Sequence, residues 1–140
     1  VDVGKGHITF ANAGHPSPLL VHRAAGRVEP ITTHREAGPA LGLFEDVQYL
    51  THSLPVSAGD LLLTFTDGLF EAENAGAESF SIDRLRESIR SRNALALDEL
   101  MQDVFAEIKS FAEGRAFSDD VCFVGMEIRY LVADLHRLPA

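Results

Sequence analysis

The sequence predicts an α+β fold built on antiparallel sheet, and three observations carry that prediction. Short apolar runs punctuated by Gly and Pro fill the first half, two amphipathic helical stripes follow, and one strand-like apolar run closes the pattern. The 140 residues, 46% hydrophobic and 24% charged, suit one globular domain, or part of one, with a real core.

Residues 7–11 (His-Ile-Thr-Phe-Ala) read as a strand and residues 19–22 (Leu-Leu-Val-His) as a second. Ala13-Gly14-His15-Pro16-Ser17-Pro18 between them is rich in turn formers. Ala24-Ala25-Gly26-Arg27 reads as a hairpin turn into an extended stretch over 28–31. Two glycines and a proline make 38–44 a loop with a short extended piece, and 47–54 is a strand candidate bounded by Pro55. Gly59-Asp60 then turns into residues 61–66, which are apolar on both faces, as a strand covered on both sides would be. Ser81 is placed to cap a helix whose apolar positions are Ile82, Leu85 and Ile89. Leu97, Leu100, Met101, Val104, Phe105, Ile108 and Phe111 form one helical stripe, with Gly114 positioned to end it. Residues 121–128 complete the set as a strand, and the remaining tail shows no pattern, repeat or linker character.

Charge and composition narrow the function. With 12 Lys+Arg against 21 Asp+Glu the net charge is −9, which argues against a nucleic-acid binder and suits a protein that collects divalent cations. The single Cys122 excludes an internal disulfide framework and fits a reducing, cytoplasmic setting. No apolar run approaches the roughly 18 to 20 residues of a membrane segment. The outer face of the second helical stripe carries Asp98, Glu99, Asp103, Glu107 and Lys109, so that helix is expected to pack on a sheet rather than lie on anionic lipid. The chain opens on Val1-Asp2-Val3 without an initiator Met or signal peptide, and it is expected to be a piece of a longer protein.

Two acidic sites stand at the ends of the two most buried-looking strands. Asp67 follows the run 61–66, with Gly68 beside it to let the backbone turn, while Asp119 and Asp120 precede the run 121–128. If these strands are antiparallel neighbours, the end of one meets the start of the other and the carboxylates share one rim. Carboxylates gathered at close range repel unless a cation neutralises them, and an oxygen-only set favours Mg²⁺ or Mn²⁺ over zinc. The plainer alternative is that Asp67 forms a turn and Asp119 begins another, both solvated. Glu71, Glu73 and Glu78 add to the local negative field or are simply hydrated.

Phe10-Ala11-Asn12-Ala13-Gly14-His15-Pro16, Gly38-Pro39-Ala40-Leu41-Gly42-Leu43, Gly59-Asp60-Leu61-Leu62-Leu63 and Thr66-Asp67-Gly68-Leu69-Phe70-Glu71-Ala72 occur in that order. Glu78-Ser79-Phe80, Arg84-Leu85 and Asp119-Asp120-Val121 follow. This succession resembles the SpoIIE-type branch of the metal-dependent (PPM) serine/threonine protein phosphatases over most of the chain. The resemblance implies a layered α-β-β-α sandwich of two antiparallel sheets flanked by helices. It also implies a pair of Mn²⁺ or Mg²⁺ ions at the sheet rim, activating a water that attacks a phosphoserine or phosphothreonine phosphorus. By the same resemblance Asp67 and Asp119 are metal ligands. Gly68 and Asp120 act behind them or, for Asp120, through water.

The departures matter as well. The family motif Asp-x-x-Gly-x-Gly, whose aspartate bridges the two metals and which leads into a helix, is not matched. Asp2-Val3-Gly4-Lys5-Gly6 has one residue too few before its first Gly and runs into a strand, so Gly4-Lys5-Gly6 reads as a hairpin turn. The N-terminal portion of the catalytic domain is therefore expected to be missing. Residues 1–131 are then the C-terminal part of a phosphatase domain and 132–140 a tail. Such a fragment is expected to expose apolar sheet surface and open strand edges. Cys122 stands where the family usually has Thr and reads as a buried, unreactive thiol; Ser81 stands where Gly is usual. His15 is expected to shape its turn rather than take part in chemistry, and His7, His22, His34, His52 and His136 show no metal-like spacing.

The expected parent is a bacterial phosphatase of partner-switching signalling. By resemblance it acts on a phosphorylated STAS-domain anti-sigma-factor antagonist, under an upstream sensor or receiver domain. The rival is a non-catalytic phosphatase-like module that binds a STAS-domain partner.

Overall fold

In the computed structural model, which describes residues 1–2, 5–32 and 37–132, the predicted elements form in the predicted order. They are β1 (His7–Phe10), β2 (Leu19–His22), β3 (Arg27–Pro30), β4 (His52–Pro55), β5 (Leu61–Phe65), α1 (Ile82–Ser91), α2 (Leu97–Phe111) and β6 (Phe123–Glu127). Four strands form an antiparallel sheet in the order β3-β2-β5-β6, and β1 pairs antiparallel with β4 in a second sheet.

Alternation along the strands decides what each face covers. Leu61, Leu63 and Phe65 of β5 point to one side, with Leu19 and Val21 of β2, and bury against Leu85 and Ile89 of α1 and Leu100, Val104 and Ile108 of α2. Leu20 points to the opposite side and joins Ile8, Ile31, Val56 and Ile128, with Leu62 and Leu54 packed alongside. Both faces of β5 are thus covered, as its unbroken apolar run requires. The described residues supply one helical layer and two sheets of the expected α-β-β-α sandwich. Gly125 of β6 lets α2 close on the sheet: a Cβ there would meet Leu97 Cδ1 and Met101 Sδ at 2.7 Å. β6 lies at a sheet edge, and its Val124 and Met126 remain 53% and 39% exposed.

Two predicted elements need correction. The strand expected over 47–54 is limited to His52–Pro55, because among the described residues only those find a strand partner, in β1. Ile82 lies outside the buried stripe of α1 at 37% exposure, and its place is taken by Ser88, whose hydroxyl donates to Glu107 of α2 at 2.7 Å. Asp2 N–H donates to His7 O and His7 N–H to Asp2 O, which pairs Asp2 back onto the start of β1. Val3 and Gly4, His34, His136 and residues 133–140 of the tail lie outside the described residues.

Ser81 caps α1 through a long bond, Arg84 N–H to Oγ at 3.4 Å, and holds φ 72° and ψ 153°. That backbone region is nearly reserved for Gly and costs another residue roughly 1–3 kcal/mol. Ser81 is tolerated there, but at a conformational cost. Ser81→Gly relieves the strain while losing a weak cap and some unfolded-chain entropy, a few tenths to about 1 kcal/mol. The expected net gain is about 1 kcal/mol, or about 3 °C in a thermal melt. An unchanged or lowered Tm would show the strain to be negligible.

Candidate active site

β5 carries its ladder one step past Phe65, where Thr66 N–H donates to Cys122 O at 3.1 Å. The chain then drops into a single 3₁₀ turn, Asp67–Leu69. Leu69, fully buried, pulls the turn toward the core and leaves Asp67 exposed. Across from it, the chain enters β6 through Asp119 and Asp120, both exposed. The Thr66 hydroxyl joins the two segments: it donates to Asp120 O at 2.8 Å and accepts from Cys122 N–H at 2.9 Å. Gly68 completes the contact, since a Cβ at this residue would stand 2.8 Å from Asp120 O and 3.1 Å from Asp119 O. The rim predicted from antiparallel neighbours therefore exists, with the backbones of Gly68 and Asp119–Asp120 in direct contact.

Each carboxylate also serves its own turn. Asp67 Oδ1 accepts from Gly68 N–H at 3.1 Å and Asp119 Oδ1 from Asp120 N–H at 2.7 Å. Each keeps its second oxygen for another partner. Two exposed carboxylates on one rim form an oxygen donor set of the kind hard divalent cations take. Among the described residues no group of three or more His, Cys, Asp or Glu is placed to hold a metal ion.

Beside Asp67 the Asn12–His15 turn builds a wall. Buried Asn12 accepts from His15 N–H at 2.9 Å through Oδ1 and donates to His15 O at 2.9 Å and Thr32 Oγ1 at 3.3 Å. Gly14, at φ +78°, is required here because a Cβ would meet Ala40 N at 2.8 Å. The loop over 38–44 crosses at that point, tied by Gly38 N–H to Asn12 O at 3.0 Å. His15 is exposed and, among the described residues, its ring bonds only the Pro16 carbonyl, at 2.9 Å, consistent with a shaping role. This wall, with Asp67, Phe70, Glu71, Ile82 and Arg86, encloses a groove of about 620 Å³.

Sequence reasoning missed Asn12, Thr32 and Arg86 as individual contributors; of these, only Asn12 stood inside a quoted motif. It also misplaced Cys122, whose side chain is exposed rather than buried. The residue lies before β6 begins, and the bond from its N–H to Thr66 Oγ1 fixes the backbone without enclosing the thiol. Glu87 is held below the ordinary carboxylate value, first by hydrogen bonds from Arg90 at 2.6 and 2.8 Å, on the exposed face of α1 and away from this rim. Glu73 and Glu78 fall in the hairpin between Asp67 and α1, where Glu78 accepts from Asn74 Nδ2 at 3.0 Å.

The family model described as Stage II sporulation protein E (SpoIIE) matches residues 1–129. The chain belongs to the SpoIIE family. That family is one of PP2C-type protein phosphatases. The chain is 28% identical over 129 residues to the phosphoserine phosphatase RsbP of Bacillus subtilis, covering 92% of this chain and 29% of RsbP. It spans less than a third of the length of the curated relatives it matches. Among solved structures it is similar to the RsbU and RsbW domains of Rv1364c from Mycobacterium tuberculosis, at TM-score 0.72 and 26% identity, over 91% of this chain and 34% of that one. It shares the fold of the SpoIIE phosphatase domain from Bacillus subtilis, in a structure presoaked with Mn, at TM-score 0.68 and 16% identity, over 91% of this chain and 53% of that one. Among the described residues no helix is long and apolar enough to cross a membrane.

Proposed function

We propose that this chain carries part of the catalytic centre of a metal-dependent phosphoserine/phosphothreonine protein phosphatase. The observation that carries the reading is the Thr66 and Gly68 junction, which sets Asp67 against Asp119–Asp120 at one sheet rim. Asp67 and Asp119 would hold Mn²⁺ or Mg²⁺, with Gly68 and Asp120 shaping the loop behind them. When bound, such ions supply a water of lowered pKa and neutralise charge on the phosphoryl oxygens. The chain's own share is to fix the two carboxylates, to present the groove beside them, and to keep Asp67 in water's reach.

A further acidic ligand is needed, and the resemblance assigns it to an Asp-x-x-Gly-x-Gly segment upstream of the Asn12 turn. By the same resemblance the substrate is a phosphorylated STAS-domain antagonist of an anti-sigma factor, in the cytoplasm of a bacterium, and the parent carries a sensor or receiver domain. The similarity to RsbP and to a structure with RsbU and RsbW domains supports that setting. The second reading, a non-catalytic module that binds a STAS-domain partner, is favoured by one observation: the described residues gather no three-carboxylate site.

The deciding experiment is Mn²⁺-dependent phosphate release from a phosphoserine protein. The 140 residues alone are expected to turn over little and to bind Mn²⁺ weakly. The full-length gene product is expected to be active, and to lose that activity in Asp67→Asn. A full-length product that binds the phosphoprotein but releases no phosphate with Mn²⁺ or Mg²⁺ would establish the binding-module reading instead.

A further inference from the structure

The groove beside Asp67 is polarised in a way that the metal rim does not explain. One end carries Asp67 and Glu71, joined by Glu71 N–H donating to Asp67 O at 3.0 Å, and Arg86 from α1 also lines the groove. Phe70 and Ile82 contribute apolar wall, with Ile82 exposed although it begins a helix. Arg86 is under-used where it stands. Its Nη2 donates to Val28 O at 3.3 Å, and its Nη1 lies 3.5 Å from Asp83, a carboxylate 87% exposed and so a weak partner. Its Nε is buried and has no hydrogen-bond partner among the described residues. An unpaired buried N–H is unfavourable, so the guanidinium gains by turning that edge toward an acceptor, and a carboxylate matches its fork.

The strand order sets the distance. Asp67 follows β5, whereas Arg86 bonds β3, two strands away in the order β3-β2-β5. Neighbouring strands lie about 4.8 Å apart, and Val28 is level with Leu61 through Val21, six residues before Asp67, so the guanidinium stands roughly 20 Å from Asp67. A phosphoryl group held at Asp67 does not reach that far. An extended peptide, at roughly 3.3 Å per residue, covers it in about six residues.

We propose that the groove binds an extended segment of the phosphoprotein substrate, and that Arg86 takes the carboxylate of an Asp or Glu about six residues from the phosphorylated one. The proposal rests on the phosphatase reading for the position of the phosphoryl group. Charge then sets the direction of the segment: a cation-filled acidic end takes the phosphate and the basic end takes the carboxylate. Arg86 is a specificity-determining residue under this proposal.

Two pairs of labelled phosphoserine peptides test it, one pair differing only in Glu or Gln about six residues before the phosphoserine, the other about six residues after. Fluorescence anisotropy with the full-length protein and Mn²⁺ is expected to show the Glu peptide of one pair binding about tenfold tighter. Arg86→Gln is expected to erase that preference. Equal binding of Glu and Gln peptides in both pairs overturns the proposal, as does no binding at all, or a preference that survives in Arg86→Gln. The comparison within the unmodified protein stands even if the variant fails to fold. A Glu preference without any phosphate release supports the groove while overturning the phosphatase reading.

Discussion

Gly68→Ala is expected to weaken Mn²⁺ binding at the rim as severely as Asp67→Asn, although it removes no carboxylate. The added methyl would stand 2.8 Å from Asp120 O, 3.1 Å from Asp119 O and 3.3 Å from Asp119 C, all backbone atoms. No rotamer change relieves such a contact, so one of the two segments must move. The Thr66 hydroxyl opposes that movement, because its bonds of 2.8 Å to Asp120 O and 2.9 Å from Cys122 N–H hold the entry of β6 against the end of β5. Overpacking of this kind costs about 1–3 kcal/mol of stability. A displacement of about 1 Å between ligating groups costs about a hundredfold in function. In the full-length protein the variant should therefore stay folded in urea titration, with a lowered midpoint, and lose at least a hundredfold in Mn²⁺-dependent turnover. A variant with normal turnover would show that the close approach at Gly68 is not what aligns Asp67 with Asp119.

Much of this rim could be read from the sequence, and the reason is topological. An apolar run ending in Thr66-Asp67-Gly68 and another beginning after Asp119-Asp120 need only be antiparallel neighbours to meet, and the register Phe65↔Phe123 makes them so. Periodicity likewise predicted both helices, since Leu85, Ile89, Leu100, Val104 and Ile108 are all buried. The parts that could not be read depend on where separate segments land. Arg86 looks like one more charge on an amphipathic helix until β3 is placed beneath it. The exposure of Cys122 follows from its sharing the outward face of Val124 and Met126 at a sheet edge, which no composition rule anticipates. Ser81 looked harmless because its size fits, whereas its constraint is a backbone angle set by the hairpin before α1, where Ser81 N–H donates to Phe70 O at 2.8 Å.

Asp60 is the strongest case of a residue whose weight was hidden, and Asp60→Ala is expected to cost the most stability of any single change considered. Gly59-Asp60 reads as a turn, and it is one, but Asp60 is 2% exposed. Its Oδ2 accepts from Ser57 N–H at 2.9 Å and lies 3.2 Å from His22 Nδ1, while its backbone carbonyl accepts from Ile128 N–H at 2.9 Å. One residue thus ties the turn before β5 to the end of β2 and to the chain just past β6. Removing the carboxylate leaves the half-buried bond from the Ser57 N–H without its acceptor and His22 without its partner. Losses of this kind run to about 2–4 kcal/mol, out of a total near 5–15 kcal/mol for a domain. Asp60→Asn keeps one acceptor oxygen and should lose about half as much. Because Asp60 precedes β5 and Asp67 follows it, the two lie at opposite ends of the same strand. Urea unfolding should accordingly show a large drop in midpoint for Asp60→Ala, while Mn²⁺-dependent turnover per folded molecule of the full-length protein stays unchanged. Gly68→Ala should show the reverse weighting. Equal losses of turnover in both variants would mean that the strand transmits strain from one end to the other, and that anchor and rim are not separable.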